Sequence, residues 1–166
     1  MKRGFEKITK KQFEKDFLGK VDCTINDVLL PERKTISSAG YDFSAPFDFI
    51  LEPGEIIKIP TGIKVYMLED EMLSLYVRSS AGFKYNVRLC NQVGIVDSDY
   101  YNNDVNEGHI WLAFKNEGFI SWEIKKGEGI AQGVFSKFLK VDFENDVLEK
   151  RNGGFGSTNE KVSYEK

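Results

Sequence analysis

Short apolar stretches separated by turn residues at regular intervals dominate the chain from Val28 onward. Residues 47–51 are followed by a Pro-Gly pair, and residues 56–59 by Pro-Thr-Gly. Turns that recur about every 8–12 residues are typical of sandwiches and barrels built from short strands. The same pattern predicts further strands at 63–68, 73–77, 110–114, 119–124 and 130–138. The chain is therefore expected to be an all-β protein.

The chain has 166 residues, which suits one domain spanning 1–166. An N-terminal segment, 1–22, carries phenylalanines at only rough helical spacing and predicts a short helix or an edge strand. A second short helix is expected after Arg78, with a serine as its N-cap. Residues 150–166 are rich in Gly, Ser, Thr and Asn, which predicts a flexible C-terminal arm.

Composition excludes several classes of function. Hydrophobic residues make up 41% and charged residues 30% of the chain, and the net charge is −3, which argues against binding to long nucleic acid. The apolar runs are too short for a membrane span or a secretory signal, so we expect a cytoplasmic protein with no membrane partner. Cys23 and Cys90 lack the spacing of a metal site and are expected to be small buried hydrophobic residues.

Two polar motifs follow predicted strands. Arg78-Ser79-Ser80 combines a guanidinium, two hydroxyls and backbone amides, which suits a chain of phosphates; a serine-capped turn is the alternative. The second motif, 97–100, reads Asp-Ser-Asp-Tyr, and one of its carboxylates could act as a general base on water. An Asx-type turn is its alternative.

A third motif lies near the C-terminus, where residues 153–158 read Gly-Gly-Phe-Gly-Ser-Thr. Phe155 could stack on a base, while the glycines let backbone amides approach phosphates. The hydroxyls of Ser157 and Thr158 and the charge of Arg151 would add donors. A disordered tail is the alternative interpretation.

Taken together and in chain order, these segments resemble the five motifs of the trimeric dUTPase family. The resemblance covers about residues 28–158, within the predicted β domain. The motifs are Ala39-Gly40-Tyr41-Asp42-Phe43, Arg78-Ser79-Ser80-Ala81-Gly82, Gly94-Ile95-Val96-Asp97-Ser98-Asp99-Tyr100, Gly127-Glu128-Gly129-Ile130-Ala131-Gln132 and Arg151-Asn152-Gly153-Gly154-Phe155-Gly156-Ser157-Thr158.

The resemblance implies a jelly-roll-like β-barrel that forms a homotrimer, with the C-terminal arm crossing to a neighbouring subunit. It implies hydrolysis of dUTP to dUMP and pyrophosphate, which keeps uracil out of DNA and supplies dUMP for dTMP synthesis. Asp97 would activate the water that attacks the α-phosphorus. Tyr100 would pack under the deoxyribose and leave no room for a 2′-hydroxyl.

The resemblance also assigns substrate contacts. Phosphates would be held by Arg78, Ser79, Ser80 and Gly82, with Gln132 in the phosphate and water network. The uracil edge would be read by Asn91, Gly94 and Val96. The arm would contribute Arg151, Phe155, Gly156, Ser157 and Thr158. The cofactor Mg²⁺ would be held by triphosphate oxygens and waters with no direct protein ligand, and Asp42 would at most contact a magnesium-bound water.

Two departures from the family pattern stand out. The stretch 101–109 is several residues longer than the usual short turn, and the last motif is one residue shorter between its arginine and its glycine pair. Arg151 is therefore the expected γ-phosphate contact, although Lys150 occupies the ungapped position. His109 is expected to be a loop or strand-edge residue and not a ligand. In these two departures the sequence resembles the dUTPases of Gram-positive bacteria and of phages.

Alternatives of two classes stay open at this point. A dCTP deaminase resembles this family in its fold and its Arg-Ser-Ser motif, but would need an additional glutamate to activate water against the base. A nucleotide sensor or protein-binding module could use the same scaffold without catalysis, because a fold does not fix a function. In that case the N-terminal segment and the loop 101–109 would be the obvious surfaces for a regulatory partner.

Overall fold

The structure is a computed structural model that describes residues 2–18 and 23–143. Strands account for most of its regular elements, as the sequence predicts. The strands are β1 Gly4–Lys7, β2 Tyr41–Ser44, β3 Phe49–Leu51, β4 Ile56–Pro60, β5 Ile63–Tyr66, β6 Glu71–Val77, β7 Val87–Leu89, β8 Gly94–Asp97, β9 Trp111–Asn116, β10 Trp122–Ile124 and β11 Gly129–Lys137. The helices are α1 Lys10–Asp16 and α2 Ser79–Tyr85, with 3-10 turns at Ile25–Asp27 and Ser98–Tyr100.

The strands form antiparallel sheets, of which two carry the barrel walls. One sheet has the order β2-β11-β6-β8 and the other the order β4-β9-β7, while β1 pairs with β5 and β10 pairs with β3. The nine-residue strand β11 lies between β2 and β6, so that Gln132 is opposite both Asp42 and Tyr76. This register brings the first and fourth motifs together at one end of the sheet.

Alternating side chains fill one hydrophobic core. In β9, Leu112, Phe114 and Asn116 point inward and alternate with partly exposed neighbours. The buried amide of Asn116 donates to the carbonyls of Leu51 and Ile120, both at 2.9 Å, so no polar group is left unpaired there. The alternation of inward and outward residues explains why the strands were visible in the sequence.

Most predicted elements are confirmed, and two details are wrong. The N-terminal segment contains both of the expected alternatives, a strand (β1) and a helix (α1) whose first turn is capped by the Thr9 hydroxyl. Helix α2 begins where it was predicted. Its N-cap, however, is Arg78 and not a serine, and no side chain caps it within the described ranges.

The cysteine prediction is also wrong, because Cys90 is exposed and Cys23 is only partly buried. Cys90 follows β7 at the start of a turn, where its amide donates to Ala113 O at 2.8 Å, and this backbone pairing directs the side chain outward. Among the described residues no helix is long and apolar enough to span a membrane. The predicted arm, 150–166, lies outside the described residues.

Candidate active site

Residues of the first, second and fourth motifs line one open pocket of about 470 Å³. Strand β2 supplies Asp42, the end of β6 leads into Arg78, and β11 supplies Gln132. The predicted phosphate contacts Arg78, Ser79, Ser80 and Gln132, but not Gly82, are thus brought together by pairing of distant strands. The complete lining is Lys34, Ser38, Ala39, Gly40, Asp42, Arg78, Ser79, Ser80, Gln132 and Val134.

Arg78 is held in the pocket by two contacts. Its Nη2 lies 3.3 Å from Asp42 Oδ2, and its Nη1 donates to Gly129 O at 3.2 Å. A Cβ on Gly129 would lie 2.7 Å from Nη1, so the glycine of the fourth motif makes room for the guanidinium. The arginine side chain remains 38% exposed, which leaves part of its charge open to an anion.

Gln132 lies against the backbone of the first motif. A Cβ on Gly40 would come within 2.4 Å of Gln132 Oε1, so this approach requires glycine. The Gln132 Nε2 group donates to Val77 O at 3.3 Å. The amide is thereby fixed between β2 and β6, beside the predicted phosphate contacts.

The serines of the second motif are exposed and line the pocket. Because α2 has no side-chain cap in the described structure, their hydroxyls are not used as caps, which removes the main support for the capped-turn alternative. Gly82 lies further along α2, outside the pocket lining, and its amide already donates to Arg78 O at 3.2 Å.

The third motif forms a separate cluster at the end of β8. Asp97 is the last residue of that strand and is partly exposed, and the 3-10 turn Ser98–Tyr100 follows it. Within residues 23–143, no side-chain hydrogen bond from Asp97 caps that turn, which counts against the Asx-turn alternative. Tyr100 is buried, and its hydroxyl donates to His109 O at 3.0 Å.

The residues assigned to the uracil edge lie just before and within β8. Gly94 and Val96 are buried in the strand, whereas Asn91 is exposed in the preceding turn. A Cβ on Gly94 would lie 3.2 Å from Asn91 Nδ2, so the amide packs closely over the glycine. Asn91 also borders a second cavity of about 410 Å³, together with Cys90 and Trp111.

Strand β6 separates the two clusters. Asp97 pairs with Met72 at the start of β6, and Arg78 follows the end of that strand. Six residues of extended chain span about 20 Å, since a strand rises about 3.4 Å per residue. A base and a phosphate-binding arginine that serve one substrate must both come within hydrogen-bonding reach of it. Asp97 and Arg78 of the same chain therefore lie in separate clusters, at opposite ends of β6.

The side chains that line the phosphate pocket do not form a metal-binding site of their own. No group of three or more His, Cys, Asp or Glu side chains clusters among the described residues, and Asp42 is the only carboxylate that lines the pocket. Asp42 is also paired with Arg78. Mg²⁺ retains waters and uses substrate phosphates where protein carboxylates are few. The residues present therefore fit a magnesium ion that arrives on a triphosphate.

Comparison with known proteins identifies the family. The dUTPase family model matches residues 26–159. A deoxyuridine 5′-triphosphate nucleotidohydrolase from Lactococcus lactis subsp. lactis (strain IL1403) is 45% identical over 157 residues, which cover 94% of this chain and 97% of the relative. The chain belongs to the dUTPase family. A deoxyuridine 5′-triphosphate nucleotidohydrolase from Desulfitobacterium hafniense is 37% identical, and the match covers 78% of this chain and 86% of that relative.

Solved structures agree with the fold. The crystal structure of dUTPase from Streptococcus mutans superposes with a TM-score of 0.68 at 40% identity, covering 84% of this chain and 99% of that one. The dUTPase of phage phi11 of S. aureus superposes with a TM-score of 0.64 at 18% identity, covering 90% and 98%, and this shows the fold alone. The Lactococcus and Streptococcus relatives agree with the Gram-positive resemblance of the sequence.

The sequence analysis missed some residues of the site, and other predicted site residues lie outside the described part of the chain. Lys34 and Ser38 line the phosphate pocket, but they precede the first motif in an irregular stretch without a recognisable pattern. His109 lies in the loop just before β9, in agreement with the expected loop or strand-edge position, but it is fully buried. The predicted arm contacts, Arg151, Phe155, Gly156, Ser157 and Thr158, lie outside the described residues.

Proposed function

We propose that the protein hydrolyses dUTP to dUMP and pyrophosphate. Membership of the dUTPase family and 45% identity to a deoxyuridine 5′-triphosphate nucleotidohydrolase support this activity. The structural observation that carries the proposal is the pocket in which Arg78, Ser79, Ser80 and Gln132 converge around one partly exposed guanidinium. Such a set of donors suits a chain of phosphates.

In this mechanism Asp97 accepts a proton from a water molecule as that water attacks the α-phosphorus. The carboxylate is partly exposed at the end of β8, where a water can reach it. Arg78 and the two serines bind the phosphate oxygens and stabilise the charge that develops on the leaving pyrophosphate. Phosphoryl transfer depends mainly on positioning and charge stabilisation, which these residues provide without a covalent intermediate.

Magnesium bound to the triphosphate would neutralise charge on the phosphate oxygens. Asp42 would contact that ion through a water, while its own carboxylate keeps Arg78 directed into the pocket. In the family, the phage phi11 protein coordinates a structural Mg(II) ion.

The active site is composite and belongs to a homotrimer. Asp97 and Arg78 lie at opposite ends of β6, about 20 Å apart at the usual rise of a strand, and this separation favours a site that takes them from two different copies. Exposed apolar side chains after β11, Leu139, Val141 and Phe143, offer surface for contacts between copies. The C-terminal arm of 150–166 would close the site, with Phe155 over the base and Arg151 on the γ-phosphate.

Recognition of the nucleoside rests on the third motif. Backbone groups of Gly94 and Val96 would hydrogen-bond the uracil edge, and cytosine would be refused because it leaves donors unpaired. Tyr100 would pack under the deoxyribose. The protein would act in the cytoplasm on a small nucleotide, with neither long nucleic acid nor a membrane as partner.

A pyrophosphate-release assay with dUTP, dTTP, dCTP and UTP tests the activity. We expect magnesium-stimulated turnover of dUTP at least 100-fold above that of dCTP, since sites that hydrogen-bond a base edge reject mismatched analogues strongly. Turnover of dTTP and UTP should also be well below that of dUTP, because the proposed site has no room for a methyl group on the base or for a 2′-hydroxyl. Ammonia release from dCTP would instead identify a deaminase. Comparable turnover of dTTP, or release of inorganic phosphate, would refute the proposal.

A further inference from the structure

The loop 101–109, which is longer than in the common family pattern, folds tightly around Tyr100. The Asn106 Nδ2 group donates to the Tyr100 hydroxyl at 2.8 Å, and that hydroxyl donates to His109 O at 3.0 Å. Asn103 Nδ2 donates to Tyr100 O at 2.9 Å. A Cβ on Gly108, which has a φ of +78°, would lie 2.5 Å from the same carbonyl. The loop is therefore built in contact with this tyrosine.

Both asparagines are buried and their polar atoms are paired within the loop. Asn103 Oδ1 accepts from the amides of Val105 and Asn106 at 3.0 and 3.1 Å. Asn106 Oδ1 accepts from Asn103 Nδ2 at 2.8 Å and from the Gly108 amide at 3.2 Å. Buried amides paired in this way hold one conformation, because breaking any of the bonds leaves a polar group unpaired.

The N-terminal segment fastens this loop from the outside. Thr9 donates from its amide to Glu107 Oε2 at 2.9 Å and from its hydroxyl to Oε1 at 2.5 Å. At the other end of α1, Asp16 Oδ2 accepts from His109 Nδ1 at 2.5 Å, and His109 Nε2 accepts from the Gly62 amide at 2.8 Å. These contacts join segments more than 90 residues apart in the chain.

Lys64 adds a third connection. It is 8% exposed on β5, and its Nζ donates to Asn102 Oδ1 at 2.7 Å while lying 3.7 Å from Glu107 Oε2 and 3.9 Å from Glu6 Oε2. Strand β1, which carries Glu6, pairs along β5. The N-terminal segment and the loop therefore pack against each other. Val105 and other residues of both remain exposed, so the regulatory docking surface that the sequence suggested stays a prediction.

We propose that residues 2–18 and the loop 101–109 form a brace that fixes Tyr100 beside Asp97 and thereby sets the discrimination between deoxyribose and ribose. The inference rests on the proposed function, in which Tyr100 packs under the sugar. Thr9, Asp16, Glu107 and His109 are positioning residues that act through Tyr100. A loosened brace lets the ring move away and admits a 2′-hydroxyl, so selectivity falls before turnover of dUTP does.

The test measures kcat and KM for dUTP and for UTP in wild type and in Glu107→Ala, Glu107→Gln and Thr9→Val. Glu69→Ala, which changes an exposed carboxylate in the turn before β6, serves as the matched control. We expect Glu107→Ala to lower the dUTP/UTP ratio of kcat/KM at least tenfold. Glu107→Gln keeps an acceptor for Thr9 and should recover most of the ratio, and the control should match wild type.

Hydrogen exchange at the amides of Gly108 and His109 provides a readout independent of activity, and we expect it to quicken in Glu107→Ala and Thr9→Val. If Glu107→Ala does not fold, Thr9→Val carries the test, because it removes the hydroxyl that donates to Glu107 and caps α1 while it keeps the shape of the side chain. A wild-type protein inactive on dUTP would refute the proposed function. A wild type that is active and selective, with variants that melt earlier but keep its dUTP/UTP ratio, would overturn the brace alone.

Discussion

Arg78 and Asp42 face each other across the proposed phosphate pocket, with Nη2 3.3 Å from Oδ2. The carboxylate is largely covered and the guanidinium is partly exposed, so the pair directs a positive charge outward. The pair joins the second motif to the first, through strands that are neighbours of β11 and not of each other. Its geometry yields the first prediction.

Arg78→Ala should reduce kcat/KM for dUTP by about 10- to 100-fold, because hydrogen bonds to charged groups contribute about 1.5–3 kcal/mol each. Asp42→Asn keeps the shape of the pocket while removing the charge that directs Arg78, and it should produce a smaller loss. Steady-state kinetics with dUTP and magnesium measures both. Equal activity of Arg78→Ala and wild type would exclude the arginine from the site.

Asp97→Asn should retain the fold and nucleotide binding but lose about 10²- to 10⁴-fold in kcat, the usual contribution of a general base. An amide has the same shape as the carboxylate and cannot accept the proton of the attacking water. Pyrophosphate release, with calorimetric binding of a non-hydrolysable dUTP analogue, separates chemistry from affinity. Asp99→Asn, two residues away, is the control and should remain close to wild type.

Mixed oligomers test the composite site. Asp97→Asn subunits should be nearly inactive alone and Arg78→Ala subunits strongly impaired, but after subunit exchange some assemblies should contain a site with an intact Asp97 from one copy and an intact Arg78 from another. We expect recovered activity well above the sum of the two parents, and a trimer by light scattering. If a single chain supplied both residues, exchange would restore nothing.

The stability of the protein should fall as the pH drops below about 6.5, the ordinary pKa of histidine. Burial lowers the pKa of His109, although Asp16 and Glu107 act to raise it, and Nε2 must stay unprotonated to accept the Gly62 amide. The unfolded chain therefore binds this proton first as pH falls. The stabilising contribution of neutral His109 is complete above the pKa that this histidine has in the unfolded chain. It is lost as the pH falls toward the lower pKa of the folded protein, by up to about 1.4 kcal/mol per pH unit.

Urea unfolding between pH 5 and 7 measures this dependence, and His109→Gln, which keeps an acceptor for Gly62 but does not titrate, should flatten it. Glu71 and Glu107 also have lowered pKa values, in Glu71 because Arg3 donates to its carboxylate. Both carboxylates titrate at more acidic pH, so the change in stability between pH 5 and 7 is assigned to His109. An unchanged slope in His109→Gln would assign the pH dependence to another group.

Local patterns were enough to predict most of the strands and helix α2, but not β2 or β7. Along β9 buried residues alternate with partly exposed ones, and this alternation and the turns between strands depend on consecutive residues of the sequence. The N-cap of α2 was mispredicted because the preference of serine for caps is statistical. Here Arg78, which directly follows β6 in extended conformation, leads into the helix, and both serines line the pocket.

Contacts between distant segments were beyond the reach of the sequence. Nothing near Thr9 indicates that its hydroxyl meets Glu107, which lies 98 residues further along. The burial of His109 depends on the same packing of α1 against the loop. Similarly, the order of the motifs assigned Asp97 and Arg78 to one active site. Only the pairing of β6 with β8 shows that the two residues lie at opposite ends of a strand.

The central position of β11 has a consequence for biosynthesis. It is the last strand of the described chain to leave the ribosome, yet it lies between two strands made much earlier, β2 and β6. A nascent chain that ends before Gly129 leaves β2 without its strand partner, leaves one edge of β6 unpaired and lacks Gln132. Folds of such high contact order form slowly and expose unpaired strand edges meanwhile. We therefore expect the barrel to close only after translation has passed Lys137, and premature stops to yield aggregating fragments.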